Sequence, residues 1–196
     1  MLSTSLFTPS RRSRRPDPWL VCMDLQREYV VPGRPLYAAA SGTVADACVR
    51  VLAQARQEGW RVVHTQLRRR EGLFASESLF GAPIEGLRPL ISEPVFLRGG
   101  LSAFSNADFA AEMREARGEE VFLIGFSLTD TCLATVFAAV DQGVSLTLVE
   151  DAVGAAPTSA ARTAPEIARA ILSPYVRFVA SHDLEANSVA TLEYPH

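Results

Sequence analysis

Six short apolar runs, each closed by polar or turn residues and set apart by stretches of helical spacing, constrain what this chain can fold into. They lie at 19–24 (WLVCMD), 61–66 (RVVHTQ), 94–97, 120–125 (EVFLIG), 144–149 and 176–180. Continuous apolar runs of this length read as strands buried on both faces, as in parallel sheets. Helical spacing fills 43–58, where Val44, Ala47, Cys48, Val51, Leu52 and Ala55 fall on one face and Gly59 is placed to end the helix. Further helices are predicted over 106–117, capped by Asn106 or Ser105, over 130–142, closed by Gly143, and over 160–172. The stretch from 67 to 94 is irregular and reads as a long excursion with one short helix. Strands alternating with helices predict an α/β fold: a three-layer α/β/α, Rossmann-like domain with a mostly parallel central sheet.

The chain has 196 residues, which suits one such domain, assigned to 19–196. Residues 1–18 differ in composition, with Arg11, Arg12, Arg14 and Arg15 among Ser and Pro, and read as a solvated, flexible basic arm. No apolar segment follows those arginines as a secretory signal requires. The net charge of −3 gives no electrostatic case for nucleic acid or an anionic membrane as partner. Cys22, Cys48 and Cys132 are odd in number and widely spaced, with no CxxC pair, so reduced thiols in a cytoplasmic protein are expected.

Ligands of open α/β sheets bind outside the carboxyl ends of the strands. The residues that follow the runs are Asp24, then His64 and Gln66, then Arg98, then Cys132, then Glu150 and Asp151. An acid, a cation and a thiol thus converge on one sheet edge. Cys22 and Cys48 fit a packing role. Cys132 follows a turn rich in capping residues (Gly125 to Thr131), where the first helical turn favours a thiolate and offers backbone N–H groups to an oxyanion.

Three segments in order, WLVCMDLQREYV, LRGGLSAF and LIGFSLTDTCLATVFAAVDQGVSLTLVEDAVGA, resemble the isochorismatase-like cysteine hydrolases. They match that family's D-x-Q strand end, its K-x-x-x-S-A-F segment, and its G-x-x-x-x-x-C-x-x-(S/T) segment with the D-A strand end beyond. The family includes nicotinamidases, N-carbamoylsarcosine amidases and isochorismatase. The resemblance implies Asp24 as general base, Cys132 as nucleophile, and Arg98 at the place of the family's catalytic Lys. It implies a cis peptide at Ser127–Leu128 and an oxyanion hole from the N–H groups of Leu128 and Cys132. Gln26, Tyr29, His64, Gln66 and Phe104 are the candidate substrate-pocket residues.

The implied activity is hydrolysis of a small amide-like C–N bond through a Cys thioester, with no metal and no cofactor. Where nicotinamidases carry an Asp-x-His pair and a further His, this chain reads VVHTQLRRR, with one His and no Asp. Isochorismatase-type vinyl-ether hydrolysis needs no thiol, and the retained Cys132 points to the amidase-like branch. Arg in place of Lys keeps the charge but is larger and planar, with Gly99 and Gly100 beside it to give room. It leaves a second expectation open, a non-catalytic member in which Arg98 and Asp24 form a permanent ion pair within a binding or scaffold protein. The expected partners are a small-molecule substrate and further copies of the chain, as a dimer or tetramer.

Overall fold

The computed structural model describes residues 17–157 and 164–184. Most of the basic arm, the first residues of the fourth predicted helix and the end of the chain lie outside them. Six strands form one sheet in the order β3-β2-β1-β4-β5-β6, every pair parallel: β1 (Trp19–Met23), β2 (Arg61–Leu67), β3 (Val95–Arg98), β4 (Val121–Phe126), β5 (Leu146–Gly154) and β6 (Arg177–Val179). Four helices connect them: α1 (Ser41–Glu58), α2 (Ala107–Glu115), α3 (Leu133–Asp141) and α4 (Ala164–Leu172). The sheet is therefore wholly parallel, and the three-layer expectation holds.

Alternation along each strand divides the core. Leu20, Cys22 and Ile124 pack with Cys48, Val51 and Leu52 of α1. Val21, Met23 and Leu123 pack on the other face with Phe109 and Met113 of α2, Val136 of α3 and Leu172 of α4. Cys22 and Cys48 are buried in the first of these clusters, and the Cys48 thiol donates to the Ala152 carbonyl at 3.1 Å. Both strand faces are apolar because both are covered.

Helix ends follow the chemistry of their sequences. Gly59 takes a left-handed φ of +76° and closes α1. The Asn106 side chain accepts from the N–H groups of Asp108 and Phe109, so it caps α2. The excursion between β2 and β3 carries one short 3-10 turn, Leu79–Gly81.

Three sequence expectations need correction. β5 does not end at Glu150–Asp151. Its register against β4 shifts between Leu123 and Gly125, the two acids turn to solvent in the bulge, and pairing resumes at Val153. The predicted helix from Asp130 begins instead as a π turn, Leu128–Cys132, before α3. Arg98 is the last residue of β3 rather than the first after it. Beyond β6, Ser181–Leu184 forms a helical turn and Leu184 packs into the α1-side core. Among the described residues no helix is long and apolar enough to cross a membrane.

Strands β1 and β4 are neighbours although β2 and β3 intervene in sequence, so the direction of winding reverses between them. That switch point opens a crevice at the carboxyl ends of the two strands. Gly125 sits at its base with φ +119°, and a Cβ built there would lie 1.9 Å from the Met23 carbonyl oxygen. Only glycine lets the two backbones approach so closely. Gly125→Ala is expected to cost about 3 kcal/mol or more, read as a lowered midpoint in thermal unfolding. An unchanged midpoint would show that β1 yields without cost.

Candidate active site

Asp24 leaves β1 in a left-handed conformation, φ +46°, which Asp tolerates better than most residues. The Gln26 N–H donates back to the Asp24 carbonyl at 2.7 Å. This turn aims the carboxylate sideways toward β2 and β3. Its Oδ1 accepts from the Leu67 N–H at 2.8 Å, and its Oδ2 accepts from Arg98 Nη2 at 2.5 Å. Arg98 also donates from Nε to the Thr65 hydroxyl at 2.8 Å and from Nη1 to the Gly100 carbonyl at 3.0 Å. Both side chains of the pair are wholly buried.

Burial pushes the Asp24 carboxyl up to about 6. The Arg98 charge and hydrogen bond, the Leu67 N–H and the Thr131 hydroxyl each oppose that rise. The glycines beside Arg98 do not make room for it, contrary to expectation. Gly100 is required by Ser105, whose side chain would lie 2.8 Å from an added Cβ, while Gly99 faces open space.

Cys132 comes from the other side of the crevice, at the end of the π turn after β4. Six residues stand between Gly125 and Cys132, one more than in the pattern G-x-x-x-x-x-C. A π turn takes up one extra residue, and such turns recur at functional sites. The Cys132 side chain is buried with Val136, Phe109 and Leu123, and its thiol is pushed well above the ordinary range. Burial is the main cause, followed by the negative charges of Asp24 and Asp130. Burial thus works against the thiolate that a helix terminus favours.

The same turn changes the oxyanion donors. The Cys132 N–H is already spent on the Ser127 carbonyl at 2.9 Å, because a π turn bonds each N–H five residues back. The Ser127 N–H is spent on the Thr131 hydroxyl at 2.8 Å, and that hydroxyl donates to the Phe126 carbonyl at 2.8 Å. Leu128 N–H has no partner among the described residues. The cis peptide is at Phe126–Ser127, one bond earlier than expected.

The pocket candidates separate. Tyr29 lies at the site: it stacks on Phe126 at 4.7 Å, and Asp24, Asp130 and Cys132 all add to the rise that burial causes in its phenol. Gln26 does not offer its amide to a ligand. That amide donates to the carbonyls of Leu67 and Gly81 and accepts from the Leu67 N–H, pinning the excursion to the sheet end. His64 points to the α1 face and bonds Glu93 at 2.9 Å, where Arg56 also ends. It belongs to a buried structural network, and burial lowers its pKa. Gln66 is buried two residues further along β2. Phe104 stands edge-on to Phe109 in the α2-side core. Sequence reasoning missed Thr65, Leu67 and Thr131. Leu67 acts through its backbone and leaves no sequence signal.

A cleft of about 530 Å³ opens beside the π turn, with Leu128, Tyr37, Val44, Gly154 and Pro157 among its walls. Among the described residues, no three His, Cys, Asp or Glu side chains converge as metal ligands.

The family model described as the isochorismatase domain matches residues 18–177. The chain belongs to the isochorismatase family. A maleamate amidohydrolase from Pseudomonas putida is 28% identical over 153 residues, covering 70% of this chain and 72% of that protein. Solved structures share the fold at lower identity. A cysteine hydrolase from Pseudomonas syringae superposes with a TM-score of 0.77 at 16% identity, covering 85% of this chain and 90% of that one. An N-carbamoylsarcosine amidase from Thermoplasma acidophilum gives 0.70 at 18%, covering 84% and 96%. An isochorismatase from P. putida gives 0.75 at 23%, covering 88% and 94%. The family's α/β sheet is thus present.

Removing Arg98 strands a buried carboxylate. Arg98→Met is expected to destabilise by about 3–5 kcal/mol near neutral pH. Without the guanidinium the Asp24 pKa rises further, so Asp24 is neutral over more of the acid range. The loss should therefore shrink as pH falls below 6. Denaturant unfolding at pH 5 and pH 8 checks this; an equal loss at both would show that Asp24 does not carry the charge.

Proposed function

We propose that this chain is a metal-independent hydrolase of a small amide-like C–N bond, with Cys132 as nucleophile and Asp24 as base. The observation that carries the reading is the Asp24 carboxyl, held at Oδ1 and Oδ2 and raised by burial to about 6, beside a neutral buried thiol. A base of that strength can take a proton at neutral pH and return it. Membership of the family and the maleamate amidohydrolase relative support a reaction at an amide.

In the proposed cycle Asp24 takes the Cys132 proton as sulfur attacks the carbonyl carbon. The tetrahedral oxygen is met by the Leu128 N–H. Asp24 then gives the proton to the departing nitrogen, the C–N bond breaks and a thioester remains. Water, deprotonated by Asp24, attacks the thioester, and the thiol and the acid product are released. Arg98 holds the carboxylate in place throughout. Its three bonds leave it fixed, so it acts as an anchor and not as a proton carrier.

One observation favours a second reading, a binding protein without turnover. Arg98 is saturated by Asp24, Thr65 and Gly100, and the Cys132 N–H is taken. Thiol labelling separates the two. Under the hydrolase reading, peptide mapping by mass after brief iodoacetamide treatment of the native protein finds the first adduct at Cys132. Substrate present in excess slows its formation. Modification at Cys22 or Cys48 with Cys132 untouched would sink that reading and favour the binding protein.

The pH profile gives a further check. The base must be ionised, so kcat/KM should rise with pH through an apparent pKa near 6. Asp24→Asn should lower kcat by about 10²–10⁴-fold. A maleamate and small-amide screen supplies the substrate, and a profile flat from pH 5 to 8 would remove Asp24 from the role.

A further inference from the structure

The cleft of about 530 Å³ lies over the carboxyl ends of β4 and β5 and takes no part in the cycle above. Its walls come from Leu128 of the π turn, from the end of β5 and the residues after it, and from the start of α1 with the loop before it. It is joined to the site. The Leu128 N–H meets the tetrahedral oxygen in the proposed cycle, and the same residue forms part of the cleft wall. Leu128 and Val153, both in that wall, pack in one buried cluster with Cys132. The Ala156 N–H donates to the Ser127 hydroxyl at 3.0 Å, which ties the β5 wall to the cis peptide ahead of the turn.

Sheet order decides which part of a substrate lies there. The Asp24 carboxylate turns toward β2 and β3, on one side of the Cys132 turn, and in the cycle it must reach the departing nitrogen. The cleft lies on the other side, toward β5. With sulfur attacking between them, the group pointing away from nitrogen is the acyl chain.

The walls set the chemistry of that chain. They are Ala, Val, Leu, Pro and Gly residues with the hydroxyls of Tyr37 and Ser41, and no charged side chain is among the described ones. The Ser41 hydroxyl accepts from the Ala38 N–H at 3.3 Å. The start of α1 borders the cleft, with Ala40 as its cap and no acid in its first turn. A helix terminus alone holds an anion weakly, and no cation among the described walls assists it. A carboxylate entering such a cleft loses its water for little return, whereas a hydrocarbon gains by burial. The volume falls within the roughly 300–1,000 Å³ of small-molecule sites.

We propose that this cleft is the acyl-group site and takes an uncharged hydrocarbon chain, so that the substrate is an aliphatic carboxamide. The proposal rests on the hydrolase reading and deepens it. Amide and water give the carboxylic acid and ammonia, with the chain held in the cleft while the thioester forms and breaks.

The test measures ammonia release by the full chain from acetamide, butanamide, hexanamide and succinamate, the last matching butanamide in carbon number but carrying a carboxylate. kcat/KM should rise about 3-fold for each methylene added. Butanamide should exceed succinamate at least about 10-fold. Val44→Phe narrows the cleft from α1, and Ala39→Trp narrows it from the loop before α1. In each, the ratio of kcat/KM for hexanamide to that for acetamide should fall at least about 10-fold. Ala39 is exposed, so its variant decides alone if Val44→Phe does not fold. Binding without turnover is read by calorimetric titration of hexanamide into Cys132→Ala.

Rates independent of chain length, a preference for succinamate, or an unchanged ratio in the variants that fold overturns the proposal and leaves the hydrolase. Hexanamide bound by Cys132→Ala and weakened by adding Ala39→Trp, with no amide hydrolysed by the wild type, keeps the hydrocarbon site and sinks the hydrolase reading. Neither binding nor turnover sinks both.

Discussion

The Asp24–Arg98 pair ties three strand ends to one another, and much of the carboxyl edge of the sheet is arranged around it. Asp24 follows β1, Arg98 ends β3, and Thr65 and Leu67 of β2 stand between, each bonded to one partner. Taking both charges out of water is costly, and the cost is met only because each carboxylate oxygen and each guanidinium nitrogen has an aimed partner. That need explains why Gln26 and Gly100, neither of them charged, are also fixed in place: one clamps the excursion over Leu67, the other supplies a carbonyl to Arg98.

The same pair sets the chemistry. A carboxylate in water is too weak a base to take a thiol proton near neutral pH. Burial strengthens it, and Arg98 keeps the rise within a useful range. The thiol opposite is raised by burial as well, so the two groups share their proton economy as a neutral acid and a moderate base. Arg98 is locked on three sides where a lysine would keep rotatable donors, which makes it an anchor. The extra residue ahead of Cys132 has a related effect. It winds into a π turn that spends the Cys132 and Ser127 N–H groups internally and leaves Leu128 as the donor at the turn.

Sequence pattern carried the fold further than the site. Runs of apolar residues gave the strands because the central ones, β1 and β4, are buried on both faces and carry almost only apolar side chains. Boundaries slipped where a bulge intervened, as at Glu150–Asp151, since a register shift has no periodicity of its own. At the site, Asp24, Arg98 and Cys132 stood out as polar residues at strand ends. His64 and Gln26 stood out in the same way, yet the first serves Glu93 on the other face of the sheet and the second clamps backbone. A strand-end position does not say which way a side chain turns.

By itself, the sequence determined the order of strands and helices, the α/β fold class, the family resemblance and the short set of candidate reactive residues. These are local or ordered properties, written in spacing and composition. The tertiary structure decided which residues meet: that Arg98 is spent on Asp24, that Cys132 sits buried among apolar side chains, and that its N–H is taken. The reason is physical. Burial, hydrogen-bond partners and proton affinity depend on groups distant in sequence, brought together only when β1, β2, β3 and β4 lie side by side.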